Sequence, residues 1–209
     1  MDSTKFGYVP STMDGSEWIF GAPTGNLALP SEYGYRKYLP SVINQGSLSI
    51  CVPCSVSAYL NWKKNLETGE RRDNKVALMD IYDIRTNDGE GMSFKEALHY
   101  LRHHGVRSNA GILGINSYGR IMNPIALKYA LVMNGPCLGA LPVYSDDCDF
   151  WNKKPGNQLL GYHAISICGY NEDGFIIRNS WGTGFCDDGY TVITYEEFSK
   201  LLEVWTIIN

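Results

Sequence analysis

The sequence predicts an α+β fold of two lobes, helices first and strands second, with a groove between them. Three observations carry that expectation. Periodicity is helical from Cys51 to Asn134, the runs after Gly135 are short and rich in β-branched and aromatic residues, and 44% of the 209 residues are hydrophobic, enough to bury a core.

In the first half, Val52, Val56, Tyr59 and Leu60 follow Cys51 at helical spacing, and Pro53 falls in the first turn, where its missing N–H costs nothing. Cys51 is therefore expected at a helix N-terminus. The polar stretch Lys63 to Lys75 reads as a surface loop, and Val76 to Arg85 as a short helix. Ser93 with Glu96 forms a capping box ahead of Phe94, Ala97, Leu98 and Leu101, and Gly105 closes that helix. Pro124 to Asn134, stopped by Gly135 and Pro136, is a fourth helix.

The strands expected after it are Leu138–Val143, His163–Tyr170, Phe175–Asn179, Tyr190–Ile193 and Val204–Ile208, with a hairpin loop at Asn171 to Gly174. The helical lobe is thus expected at about residues 45–134 and the β lobe at about 135–209.

Charge excludes some partners. Eighteen Lys and Arg against 22 Asp and Glu leave a net charge of −4, and the basic residues are scattered, so nucleic acid is not an expected partner. Apolar stretches such as Ile121 to Val132 are far shorter than the roughly 20 residues of a membrane span. The chain is expected to be soluble and monomeric, without a cofactor or metal. The first twenty residues lack a basic start followed by an apolar run, which argues against a secretory signal and for a cytoplasmic or virion-associated, reducing setting. Six cysteines, Cys51, Cys54, Cys137, Cys148, Cys168 and Cys186, allow fifteen pairings, and reduced thiols are expected.

Several residue sets compete for the chemistry. Cys51 and Cys54 form a C-x-x-C at a helix start, which suits dithiol exchange, although the preceding Asn44 to Ser49 is polar where a thioredoxin-like unit needs an apolar strand. Zinc is a second use of paired cysteines, but no second close pair completes four ligands. Cys54 otherwise reads as a small buried hydrophobe. His99 and His103 lie four apart on one helix, without the Glu of H-E-x-x-H or a third ligand. His163 differs, because it opens an apolar strand beside the expected groove. Gln45, Cys51, His163 and Asn179 together supply a nucleophile, a base, a group to hold the imidazole tautomer and an oxyanion donor. They are far apart in sequence, so only a fold that joins the two lobes can assemble them.

Asn44-Gln45-Gly46 leading to Cys51, then Gly161-Tyr162-His163-Ala164 with Gly169-Tyr170, then Arg178-Asn179-Ser180-Trp181-Gly182-Thr183-Gly184 with Gly189-Tyr190, resemble the papain-type cysteine peptidases. The six-residue step from Gln45 to Cys51 and the sixteen-residue step from His163 to Asn179 make the joint match specific. Leu29-Pro30 resembles the start of the mature enzymes, so the resemblance covers residues 29–209. It implies a cysteine peptidase acting through an acyl-enzyme. Cys51 would be the thiolate nucleophile, His163 the general acid and base, and Asn179 the orienting amide under the cover of Trp181. Gln45 and the Cys51 amide would form the oxyanion hole. Gly91 and Met92 match the strip that pairs with an extended substrate, and Ala164 and Met92 would border an apolar pocket for the side chain two residues before the cut. Leu, Val or Phe are expected there, with residues 194–198 the suspects should the floor prove charged.

The chain departs from the family at Ser49-Ile50-Cys51-Val52, where Gly-Ser-Cys-Trp is usual. Leu48, and the lack of a cysteine near Gly91, remove the usual disulfide of the helical lobe. The 112-residue step from Cys51 to His163 implies a trimmed helical lobe, and residues 1–28 are shorter than a usual pro-region, as in compact microbial or viral relatives. Two readings stand: a peptidase acting on peptide or protein substrates, and a catalytically impaired scaffold that binds peptides. In residues 1–28, Tyr8, Val9, Trp18, Ile19 and Phe20 are too apolar for a solvated tail. They are expected either to pack outside a lobe or to lie in the cleft and limit access to Cys51.

Overall fold

A computed structural model describes residues 6–23, 27–87 and 89–209. The part of the N-terminal extension at residues 1–5 and 24–26 lies outside the described residues.

The chain enters as an extended segment, forms the short strands β1 (Ile19–Phe20) and β2 (Tyr33–Gly34), and then the long helix α1 (Cys51–Thr68). α2 (Leu78–Tyr82), α3 (Phe94–His103) and the small hairpin β3 (Val106–Ser108) and β4 (Gly111–Leu113) follow, with β5 (Ser117–Ile121) and α4 (Pro124–Asn134) after them. The second half contributes β6 (Cys137–Val143), β7 (Gly161–Tyr170), β8 (Gly174–Arg178), β9 (Tyr190–Thr194) and β10 (Glu203–Ile208). The main sheet runs β1-β5-β10-β6-β7-β8-β9, with β2 added along β7.

Local chemistry sets the helix ends. Ser93 and Glu96 form both bonds of the capping box on α3, and Asn123 accepts from the Ala126 amide to start α4. α1 starts differently: Ile50 stands at its N-cap and has no side chain able to accept from the first amides. Those amides are left to face Cys51.

α1 is the hub of the molecule, and residues 51–62 are all buried. Its polar members are satisfied by bonds that fasten the segment beyond it: Asn61 Oδ1 accepts from the Asn74 amide, and Asn65 Nδ2 donates to the carbonyls of Tyr38 and Arg72. The surface loop expected from Lys63 therefore begins only after α1 ends at Gly69, because the helix continues through Lys63–Thr68. β7 shows the period of two. Ala164 and Cys168 join the core against α1, Ser166 donates to the Ser55 carbonyl, and Ile165 and Ile167 face the opposite way onto α4.

Two expectations need correction. The boundary between lobes does not fall at residue 134, because β5 pairs with β10 and α4 packs on the sheet through Ala126, Leu127, Ala130 and Leu131. An apolar helix needs a broad apolar face to cover, and the sheet supplies it. The cysteines are also not uniformly reduced. Cys148 and Cys186 form a disulfide with Cα atoms 5.7 Å apart, while Cys51, Cys54, Cys137 and Cys168 are free and buried. The pair is 38 residues apart in sequence, so its reduction is expected to lower unfolding free energy by about 2–4 kcal/mol. Thermal melts with and without a phosphine reductant, and of the Cys148→Ser variant, measure it; unchanged melting in both contradicts a structural bridge.

Candidate active site

Cys51 is the first residue of α1 and has no solvent-accessible surface. Four backbone amides act on its thiol. Those of Ala164 and Gly7 favour its thiolate, as do those of Val52 and Cys51 itself at the helix start. Burial outweighs them and pushes the thiol up to about 11.

Ala164 follows His163 directly on β7, so the contact of its amide with Cys51 joins the helical side to the sheet. His163 is also fully buried, and its Nε2 lies 2.7 Å from Asn179 Oδ1. Asn179 follows the end of β8, next to β7, which is how a sixteen-residue step returns it to His163. The amide oxygen accepts from the ring and leaves Nδ1 without a partner among the described residues. Burial depresses the imidazolium to about 4 against the opposing effect of Asn179, so thiol and ring are both neutral over the ordinary pH range.

Trp181 stacks over His163 with ring centres 4.7 Å apart. Phe150 and Phe185 press on Trp181 at 5.0 and 5.1 Å. The disulfide braces this roof, because Cys148 lies two residues before Phe150 and Cys186 directly follows Phe185.

Gln45 is buried beside the same cleft. Its amide oxygen accepts from Ser180 Oγ, the residue after Asn179, and its Nε2 donates to the Leu48 carbonyl at 2.7 Å. Ser49, where the family has glycine, turns its hydroxyl to Glu90 at 2.7 Å. Cys54 is one turn into α1 and buried, with its thiol pushed up to about 12 by burial. His99 and His103 lie near one another on α3, ring centres 4.6 Å apart. No group of three potential metal ligands occurs among the described residues.

Of the two expectations for the N-terminal segment, the cleft takes residues 6–9. Residues 6–9 cross it as an extended strap. Tyr8 pairs in parallel with Met92: the Met92 amide donates to the Gly7 carbonyl and the Val9 amide to the Met92 carbonyl, both at 3.0 Å. On the other wall the Tyr8 amide donates to the Tyr162 carbonyl, and Phe6 meets Trp181 edge-on. The fit requires glycine. A Cβ on Gly7 would come within 2.1 Å of the Ser49 carbonyl oxygen, and one on Gly91, at φ +87°, within 2.6 Å of the Gly7 carbonyl oxygen. Met92 thus bonds to the strap while Gly91 lies close against Gly7, and Ala164 and Met92 lie with Tyr8 in one buried cluster. Trp18 to Phe20 instead join the sheet edge at β5.

The described residues thus combine a buried thiol at a helix start, a ring fixed by an amide and a cleft that accepts an extended strand. The comparisons sharpen this. Residues 100–201 match the model of the papain family cysteine proteases, a span that contains His163 and Asn179. Xylellain, a cysteine protease from Xylella fastidiosa, superposes with a TM-score of 0.84 at 20% identity, covering 100% of this chain and 97% of that one. Procathepsin B S9 from Trypanosoma congolense gives 0.78 at 14% identity, with 100% and 88% covered. In sequence, peptidase 1 of Dermatophagoides pteronyssinus is 25% identical over 203 residues, 79% of this chain and 61% of that protein's length. Over residues 100–201 the chain is similar to the papain family cysteine proteases, and its fold is papain-like.

Gly7→Ala is expected to push the strap from the cleft and to speed alkylation of Cys51 by iodoacetamide at pH 7 by roughly 10-fold or more, since thiolate fraction sets the rate. In the unaltered chain the rate should rise about tenfold per pH unit from pH 7 to 10. Equal rates in both proteins would mean that the strap does not control access.

Proposed function

We propose that the chain hydrolyses peptide bonds through Cys51, and that residues 6–9 hold it latent until they are displaced. The supporting observation is the line from Asn179 through His163 to the β7 amide that touches Cys51. With the strap gone, water and substrate replace the seal, and the loss of burial lets the thiol proton pass to His163. The thiolate attacks the carbonyl carbon, while the Cys51 amide and Gln45 Nε2 take the negative oxygen. As the C–N bond breaks, His163 gives its proton to the departing amine, leaving a thioester on Cys51. His163 then takes a proton from water, the hydroxide adds to the thioester, and the acid leaves as Cys51 is freed. Asn179 keeps the ring turned toward the sulfur throughout.

The strap escapes cleavage for a stated reason. It presents to the sulfur the Gly7 amide N–H, which is no electrophile, and its Gly7 carbonyl is bonded to Met92 on the other wall. The sealed, neutral pair is also what a non-cleaving peptide-binding scaffold would keep. An epoxide inhibitor separates the readings: labelling of Cys51 in the Gly7→Ala chain supports the peptidase, and no labelling supports the scaffold.

Cys51→Ala is expected to abolish hydrolysis of a fluorogenic peptide library, whereas Cys54→Ala keeps most of it; equal loss in both would revive dithiol chemistry. For Gln45→Ala, kcat should fall by roughly 10- to 1,000-fold with KM little changed, because an oxyanion donor acts in the transition state. An effect confined to KM would remove Gln45 from that role.

A further inference from the structure

Cys54 is the half of the C-x-x-C motif for which peptide hydrolysis has no use. Cys51 is the first residue of α1 and Cys54 lies three residues on, so both belong to its first turn. A helix rises about 1.5 Å per residue at a Cα radius of about 2.3 Å, which sets Cα atoms three residues apart at about 5 Å. That is inside the span of roughly 4.4–6.8 Å that a disulfide bridges. Both side chains are buried in one apolar cluster, and a charge on Cys51 is felt at Cys54, second only to burial. The first amides of a helix have no intrahelical acceptor and Pro53 has no amide hydrogen, so Cys51 can turn toward Cys54 without breaking a helical bond. The Cys54 amide donates to the Ile50 carbonyl at 3.0 Å and holds the other end in place.

The seal over Cys51 excludes oxidants as well as substrate. Once the strap lifts, the sulfur becomes a thiolate facing water, the form that hydroperoxides attack. A sulfenic acid on Cys51 is reversible, whereas further oxidation to the sulfinic acid is not. A thiol within reach of the sulfenic sulfur decides between the two fates. Cys54 is itself buried and its thiol is pushed up to about 12, so it stays protonated and is a poor target for the oxidant. The other free thiols are worse placed. Cys168 shares the cluster but stands four residues along β7 from Ala164, about 13 Å of extended chain, and Cys137 belongs to the separate cluster on the far side of the sheet.

We propose that Cys51 and Cys54 form a reversible dithiol–disulfide pair, in which Cys54 rescues the nucleophile from oxidation by a hydroperoxide. The Cys51 thiolate takes the terminal oxygen of the peroxide, whose O–O bond breaks to release water or an alcohol, and becomes a sulfenic acid. The Cys54 sulfur then attacks the Cys51 sulfur. The S–S bond forms, the S–O bond breaks, and the thiol proton leaves with the hydroxyl as water. Two electrons have passed from the pair to the peroxide. A dithiol reductant returns them by exchange, restoring both thiols and ending as a disulfide itself. The proposal rests on the peptidase reading only for the thiolate that lifting the strap creates. The polar stretch before Cys51 argues against a thioredoxin-like unit, and it has no bearing on a bridge within one helical turn.

The test treats the Gly7→Ala chain with excess hydrogen peroxide at pH 7 until Cys51 no longer alkylates, beside the same chain carrying Cys54→Ala. Trypsin releases residues 38–63 as one peptide that holds Cys51 and Cys54 and no other cysteine. Its mass should fall by two hydrogens in the first chain and rise by two oxygens in the second. After dithiothreitol, iodoacetamide-reactive Cys51 should be at least about 5-fold more abundant in the chain that keeps Cys54. Reduction of Cys148–Cys186 is common to both chains and leaves that ratio unchanged. Sulfinic acid on Cys51 beside a free Cys54 thiol, or equal recovery in both chains, overturns the proposal. If either variant does not fold, the unaltered chain treated to the same end at pH 10 decides alone: a bridged peptide supports the pair, and two added oxygens overturn it. A bridge in a chain that hydrolyses no peptide retires the peptidase reading alone. Hydrolysis together with irreversible oxidation of Cys51 retires the redox pair alone.

Discussion

The molecule is organised around one conflict: Cys51 is surrounded by four amides that favour its thiolate and is buried deeply enough to keep it a thiol. Helix α1 creates the first half of the conflict, since Ile50 cannot cap its N-terminus and the amides there find the sulfur. The strap creates the second, because it closes the remaining side with backbone only. Both halves need a chain that approaches within reach of the Ser49 carbonyl, which is why Gly7 stands at that point.

The sheet does the positioning. β7 carries His163 and Ala164 next to one another, and β8 returns Asn179 to the His163 ring. The Phe150 and Phe185 contacts with Trp181 belong to loops tied by Cys148–Cys186, which turns two separate connections into one support for the His163–Asn179 pair. The polar interior of α1 serves the same end from the other lobe, because Asn61 and Asn65 fix the chain that follows the helix and so the wall opposite the sheet.

Much of this was legible in the sequence. Local signals, the capping box at Ser93 and the Pro124 start of α4, gave element ends, and short runs rich in β-branched and aromatic residues gave the five main strands of the second half. Gln45, Cys51, His163 and Asn179 were legible as residue types in an order, and the pairing of β7 with β8 is what sets His163 beside Asn179. Three things were not legible for physical reasons. β1 and β2 are two residues each and exist only because a longer strand lies beside them. The disulfide depends on loops whose approach no spacing encodes. Glu203 reads as an ordinary polar strand residue until the finished sheet buries it and its carboxylate accepts from the Ser11 amide. Tyr8 was visible as an apolar residue in need of cover, whereas the direction and partners of its segment depend on the finished cleft.

The bond from the Ser11 amide to Glu203 spans 192 residues, almost the length of the chain. During synthesis the strap leaves the ribosome well before β10, so the two cannot meet until the sheet between them has been made. Closing so distant a contact carries a loop-closure cost and ranks it among the late events of folding. The cleft is therefore assembled before its own cover is fastened, and each newly made chain passes through an interval in which Cys51 is in place and the strap has not yet closed over it.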